Sequence, residues 1–95
     1  MYSVNINDIY FFEKFERKIE IVLKDKRISF YGSFISLEKM LDERIFIKCH
    51  KSYIVNISKI LTIYKDEITF KDITNLIYIS NNYKNILMNK IINIR

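Results

Sequence analysis

The pair with the most evident chemistry is Cys49-His50, the only cysteine and the only histidine of the chain. A nucleophile and its general base must touch through their side chains. Neighbours on an extended strand point to opposite faces. In Ile45-Phe46-Ile47-Lys48-Cys49-His50, parity places Cys49 inward with Ile45 and Ile47, and His50 outward with Lys48. A cysteine–histidine enzyme is therefore not expected, and Cys49 reads as a buried structural residue. A redox role stays open, because Lys48, His50 and Lys51 would lower the pKa of an accessible thiol.

Other site chemistries find less support. One histidine anchors no ordinary transition-metal site without converging carboxylates. The acids mostly neighbour bases, as in Glu13-Lys14, Glu16-Arg17 and Asp25-Lys26, and read as solvated charge pairs. Gly32 is the only glycine, so no glycine-rich phosphate loop can be built. The expectation is a non-enzyme with no cofactor, no metal and no small-molecule substrate.

The bases are more informative. They gather at expected strand ends and loops: Lys14, Arg17 and Lys18, then Lys48, His50 and Lys51, then Lys84 beside Asn81-Asn82. Such residues at loop tips suit phosphate contact and base-edge hydrogen bonding. Loops are polar in most folds, so their position alone does not decide. The net charge of +5 and pI near 9.3 favour a polyanionic partner, a nucleic acid or an anionic membrane surface.

The elements that must position these residues follow from length and period. Ninety-five residues make one domain, with 49% apolar and 28% charged residues, a globular composition. No apolar stretch approaches the ~18 residues of a membrane span. The start has no basic or hydrophobic leader, so no secretory signal is expected. A single cysteine makes no internal disulfide, and a reducing cytoplasm is the expected compartment.

Short apolar runs between polar clusters predict many short strands. The candidates are 9–12, 19–23 and 28–31, which form a meander, then 45–50, 53–56, a hairpin of 60–64 with 67–70, and 75–79. Residues 13–18 read as a charged tip. Ser33 caps a short helix whose apolar face is Phe34, Leu37, Met40 and Leu41, ended by Asp42-Glu43. Ser80 caps a second, with Tyr83, Ile86 and Leu87 on one face. Residues 89–95 fit either an extension of that helix or an edge strand. The fold class is mostly β, with one or two short helices.

The run Phe46-Ile47-Lys48-Cys49-His50-Lys51-Ser52-Tyr53-Ile54-Val55-Asn56 resembles the signature of the LytTR DNA-binding domain, the output module of a class of bacterial response regulators. Three further pieces agree in order and spacing. They are Asp8-Ile9-Tyr10-Phe11-Phe12-Glu13, Phe30-Tyr31-Gly32-Ser33 with Leu37-Glu38-Lys39-Met40-Leu41, and Ile79-Ser80-Asn81-Asn82-Tyr83-Lys84. The resemblance covers residues 6–88, with 89–95 as a tail.

That resemblance implies an elongated arrangement of small antiparallel sheets that binds double-stranded DNA at promoter direct repeats, with a second copy on tandem sites. It implies that loops enter successive major grooves in two-component transcription regulation. On this sequence, Lys51 falls at a groove-reaching position, with His50 and Ser52 flanking it on the backbone. Asn82 falls where the family has a base-reading basic residue, with Ser80 and Lys84 on the backbone side. Arg17 and Lys18 lie in the loop between the first two strands, which also approaches DNA. Asn81 and Asn82 replace the usual arginines. Asparagine pairs with adenine where arginine reads guanine, so an A·T-biased contact at that position, or a weaker binder, is expected. Ile19 is apolar where some relatives carry a polar base contact. No receiver domain is present, so the chain reads as an excised output domain or a stand-alone version.

Two other readings stand beside this one. A protein-interaction module of the same fold would expose Tyr2, Tyr64 or Tyr78 in one patch. An RNA-binding β domain fits the basic, aromatic composition, but the sequence lacks a glycine-rich aromatic motif.

Overall fold

The computed structural model describes residues 4–94. Among them the elements run β1 (Phe11–Phe15), β2 (Lys18–Val22), β3 (Arg27–Tyr31), α1 (Phe34–Met40), β4 (Phe46–His50), β5 (Tyr53–Asn56), β6 (Ile60–Tyr64), β7 (Glu67–Phe70), β8 (Leu76–Tyr78) and α2 (Asn81–Ile94). Two 3-10 turns, Ile6–Asp8 and Ile57–Lys59, precede β1 and β6. The strands form two antiparallel sheets, ordered β3-β2-β1-β5-β4 and β6-β7-β8. The mostly β class with two helices is the one expected. The longest axis is 37 Å against 21 Å for the shortest.

The five-stranded sheet is the middle layer, buried on both faces. Phe11, Val55, Ile47 and Cys49 pack with Ile68, Phe70 and Ile77 of the second sheet and Leu87 of α2. Their immediate neighbours Phe12, Ile54 and Phe46 pack with Ile19 and with Phe34 of α1. Adjacent residues thus enter opposite cores, which is why these strands read as continuous apolar runs. Each fully buried Phe or Ile contributes about 1.5–3 kcal/mol.

The first hairpin corrects the expected charged tip at 13–18. β1 continues to Phe15, and only Glu16-Arg17 turns. Pairing overrides charge there. Glu13 and Glu20 lie directly opposite each other, an unfavourable placement for like charges. Arg27 bridges both, at 3.0 and 2.8 Å. Burial opposes the Arg27 charge, but the two glutamates outweigh it and push its pKa up.

In α1 the Ser33 hydroxyl accepts from the Ser36 amide at 3.2 Å, the expected cap. Phe34 is buried and Leu37 half-buried, but Met40 is exposed and leaves the expected apolar face. In α2 the core-facing residues are Tyr83, Leu87 and Ile91, at i, i+4 and i+8, while Ile86 points away, about half exposed. The helix runs through Ile94, which settles the tail as helix; Arg95 lies outside the described residues.

Asn56 is the buried polar residue of the core, fully enclosed. Its Nδ2 donates to the Ile9 carbonyl at 2.8 Å. Its Oδ1 accepts from the Ser58 amide at 2.9 Å and the Ser58 hydroxyl at 2.7 Å. One side chain thus fixes the entry to β1 and the turn that carries the chain from the first sheet to the second. Asn56→Ala leaves these groups unpaired in an enclosed site. We expect a loss of about 2–4 kcal/mol in urea unfolding. A loss below ~1 kcal/mol would show that water replaces the amide.

Candidate nucleic-acid interface

Connections far apart in sequence meet along one edge of the domain. The β1–β2 turn lies beside the β4–β5 turn, because the Lys14 amide donates to the Ser52 carbonyl at 2.8 Å. The start of α2 lies beside the end of β4, because the Ser80 amide donates to the Cys49 carbonyl at 2.9 Å. The β6–β7 turn joins the same edge through the Ile79 amide, which donates to the Asp66 carbonyl at 2.8 Å. The result is a row: Lys14, Arg17 and Lys18; then His50, Lys51 and Ser52; then Ser80, Asn81 and Asn82; then Lys65 and Asp66.

Local geometry presents the tips. Lys14, Arg17, Lys18, Lys51, Lys65, Asn81 and Asn82 are exposed, while His50, Ser52 and Ser80 are half-buried. Glu16 and Lys65, the first residues of two-residue turns, hold φ of 59° and 57°. Such left-handed positions favour Gly, Asn or Asp, and cost roughly 1–2 kcal/mol in other residues. Lys18 Nζ sits 5.8 Å from the Tyr31 ring centre. At the β4–β5 turn, His50 Nδ1 accepts from the Ser52 amide at 3.1 Å. Its ring lies 5.2 Å from that of Tyr53. His50 thus braces the turn from which Lys51 projects.

The structure engages two expected contacts elsewhere. Lys48 is half-buried, its Nζ 5.9 Å from the Phe34 ring and 5.5 Å from the Tyr83 ring, so it packs between the two helices. Lys84 Nζ binds Asp66 Oδ1 at 2.9 Å, with both side chains nearly half exposed. Lys65 was not singled out by the sequence reading. It was legible as a hairpin turn residue, but only the pairing of β7 with β8 brings that turn to this edge.

Cys49 is buried, as parity requires. A register shift between Lys48 and His50 breaks the strict alternation on which parity rests, and His50 lies opposite Tyr53. The accessible thiol that the open redox alternative needs is not there. Burial pushes Cys49 up to about 12, with a small opposing effect from a backbone hydrogen bond. Lys51, although near in sequence, lies out in solvent.

Among the described residues no group of three His, Cys, Asp or Glu is placed to hold a metal. No described helix is long and apolar enough to cross a membrane. Tyr64 and Tyr78 are exposed and both face Glu67 across β7; Tyr2 lies outside the described residues.

Comparison with known proteins supplies the context for this edge. The model of the family described as LytTr DNA-binding domain matches residues 1–92. A solved structure described as the LytTr DNA-binding domain of a methyl-accepting/DNA response regulator from Bacillus cereus superposes with a TM-score of 0.84 at 22% identity. It covers 92% of this chain and 84% of that one. No curated protein matches the sequence.

The thiol offers a check on the geometry. Cys49 is expected to resist Ellman's reagent at pH 8 in the folded protein and to react fully in denaturant. The unfolded thiol ionises near 9 and the folded one near 12, so the unfolded state holds fewer protons between them. This group's stabilising contribution is complete below pH 9 and is lost as pH rises toward 12. Fast reaction of the folded protein would contradict the burial.

Proposed function

The chain belongs to the LytTr DNA-binding domain family, and from that premise we propose that it is the sequence-specific double-stranded DNA-binding domain of a bacterial transcription regulator. The 95 residues act as one such domain in the cytoplasm, without catalysis. The observation that carries the reading is the row of exposed cations and amides, held together by backbone hydrogen bonds between connections remote in sequence. The tips enter successive major grooves at direct repeats about one helical turn apart, and two copies occupy a tandem site.

The labour divides between two kinds of contact. Lys14, Arg17 and Lys18 neutralise phosphates, which supplies affinity in any sequence. Lys51 and Asn82 reach base edges, with His50, Ser52, Ser80 and Asn81 holding or extending the two tips along the backbone. The three phosphate-contacting cations at these tips give a log–log salt slope of about −2.7 per bound copy. Asn82 at the groove-reading position favours adenine.

A second reading rests on Tyr64 and Tyr78, exposed on either side of Glu67. A protein-interaction module of this fold that had lost DNA binding would present such a patch.

Fluorescence anisotropy on two A·T-rich direct repeats, beside a scrambled duplex and at several salt concentrations, separates these. Tighter, steeply salt-dependent binding to the repeats supports the DNA reading. Equal binding with the same slope calls for site selection from a random library. No binding at ~50 mM salt favours the protein-interaction module. On a cognate site, Lys51→Ala is expected to cost ~1–3 kcal/mol and much less on random DNA. Arg17→Ala weakens all sequences alike and flattens the slope by ~1; an unchanged slope removes Arg17 from the contact set. Asn82→Arg moves the preferred base at that position from adenine to guanine, read by library selection.

A further inference from the structure

We infer that the β6–β7 turn is a further DNA-contacting element, in which Lys65 contacts a phosphate and the Asp66–Lys84 pair positions it. The inference rests on the DNA-binding reading above and extends its contact set.

The argument begins with the charges at this turn. Lys65 and Asp66 are adjacent, so their charges would cancel if each stood alone. They do not, because Asp66 is already satisfied. Its carboxylate binds Lys84 Nζ at 2.9 Å, and its carbonyl accepts from the Ile79 amide at 2.8 Å. Among the described residues Lys65 makes no ion pair. Its Nζ lies 5.6 Å from the ring of Tyr64, itself 69% exposed, a contact that leaves the ammonium open to solvent.

Position makes that cation useful. The Ile79–Asp66 hydrogen bond places the turn directly beside the start of α2, where Asn81 and Asn82 stand. The turn therefore continues the row of tips and does not form a separate patch. The backbone there is held in the left-handed region, φ 57° at a lysine, a conformation that glycine or asparagine would adopt at lower cost. The same feature recurs at Glu16, beside Arg17 at the other end of the row. Both two-residue tips thus carry a long charged side chain where a small residue would fold more easily. Strain of this kind persists where the surrounding structure over-determines it, often at functional positions. The partner chemistry is a backbone phosphate, because a single flexible ammonium is a point charge that suits a phosphate in any sequence.

The test compares salt slopes of DNA binding for the wild type and four variants on one duplex. Lys65→Gln removes the charge, and Lys65→Arg keeps it. Lys24→Ala removes an exposed charge at the β2–β3 turn, at the opposite end of the strands from the β1–β2 tip. Lys84→Ala breaks the positioning pair. Circular dichroism checks that each is folded.

Lys65→Gln should lower the slope by ~0.9 and weaken cognate and random DNA alike, by roughly fivefold to tenfold at 0.1 M salt. Lys65→Arg should restore the slope, and Lys24→Ala should leave it unchanged. Lys84→Ala should weaken binding at least as much as Lys65→Gln, and adding Lys65→Gln to it should cost little more. An unchanged slope in Lys65→Gln while the wild type binds would overturn this inference alone. Equal effects of Lys24→Ala and Lys65→Gln would reduce it to net charge and overturn it as well. A wild type without salt-dependent binding would overturn the DNA reading and this inference together.

Discussion

The arrangement depends on one buried amide. Asn56 closes β5 and has no exposure to solvent, yet it carries three hydrogen bonds, to Ile9 and to two groups of Ser58. Its backbone adds a fourth, the Asn56 amide donating to the Tyr10 carbonyl at 2.9 Å. These bonds hold the entry of β1 and the 3-10 turn that redirects the chain into the second sheet. A hydrophobic residue of the same size would fill the space but not fix that angle. The angle decides where the β6–β7 turn and the start of α2 fall relative to the first sheet, and hence whether the tips make one surface.

The surface itself is a compromise between cohesion and charge. Several cations on one edge repel one another, and acids nearby would repel phosphate. Three of the acids are paired internally, while Glu16 stays exposed in the β1–β2 turn. Arg27 takes Glu13 and Glu20, and Lys84 takes Asp66. Exposed pairs of this kind add little stability. Their effect on the field is larger, because each removes a negative charge from the neighbourhood of a tip while Arg17, Lys51 and Lys65 stay open. Rigidity comes from the backbone bonds between tips, so a partner meets a surface that is already ordered.

Much of this was legible in the sequence because it is local. The alternation and turn residues gave the meander, the hairpin of 60–64 with 67–70 and the Ser33 cap, and the 46–56 run gave the family. The inward Cys49 followed from parity, although the register shift beside it could not. What was not legible depends on partners remote in sequence. The charged stretch after Phe12 looked like a loop, because nothing local shows that β2 and Tyr53 of β5 will pair with Glu13. Met40 and Ile86 fit a helical spacing, but the sheet they were expected to face lies elsewhere. Lys48 and Lys84 look like free bases until Tyr83 and Asp66 are placed beside them. Lys65 looks like an ordinary turn residue until β8 brings its turn to the edge. The open redox alternative for Cys49 turned on such placement too: burial outweighs neighbouring charges that lie in solvent.

The central claim is that these tips form one DNA-binding surface. Titrating the 15N-labelled protein with a cognate duplex and following each backbone amide tests it most directly. The account predicts that shifts concentrate at 14–18, 50–52, 64–66 and 80–84, and leave 24–26 and 57–61 in place. Shifts centred on the β2–β3 turn, or on the groove lined by Ile60, Leu61, Ile63, Met88 and Ile91, would contradict it.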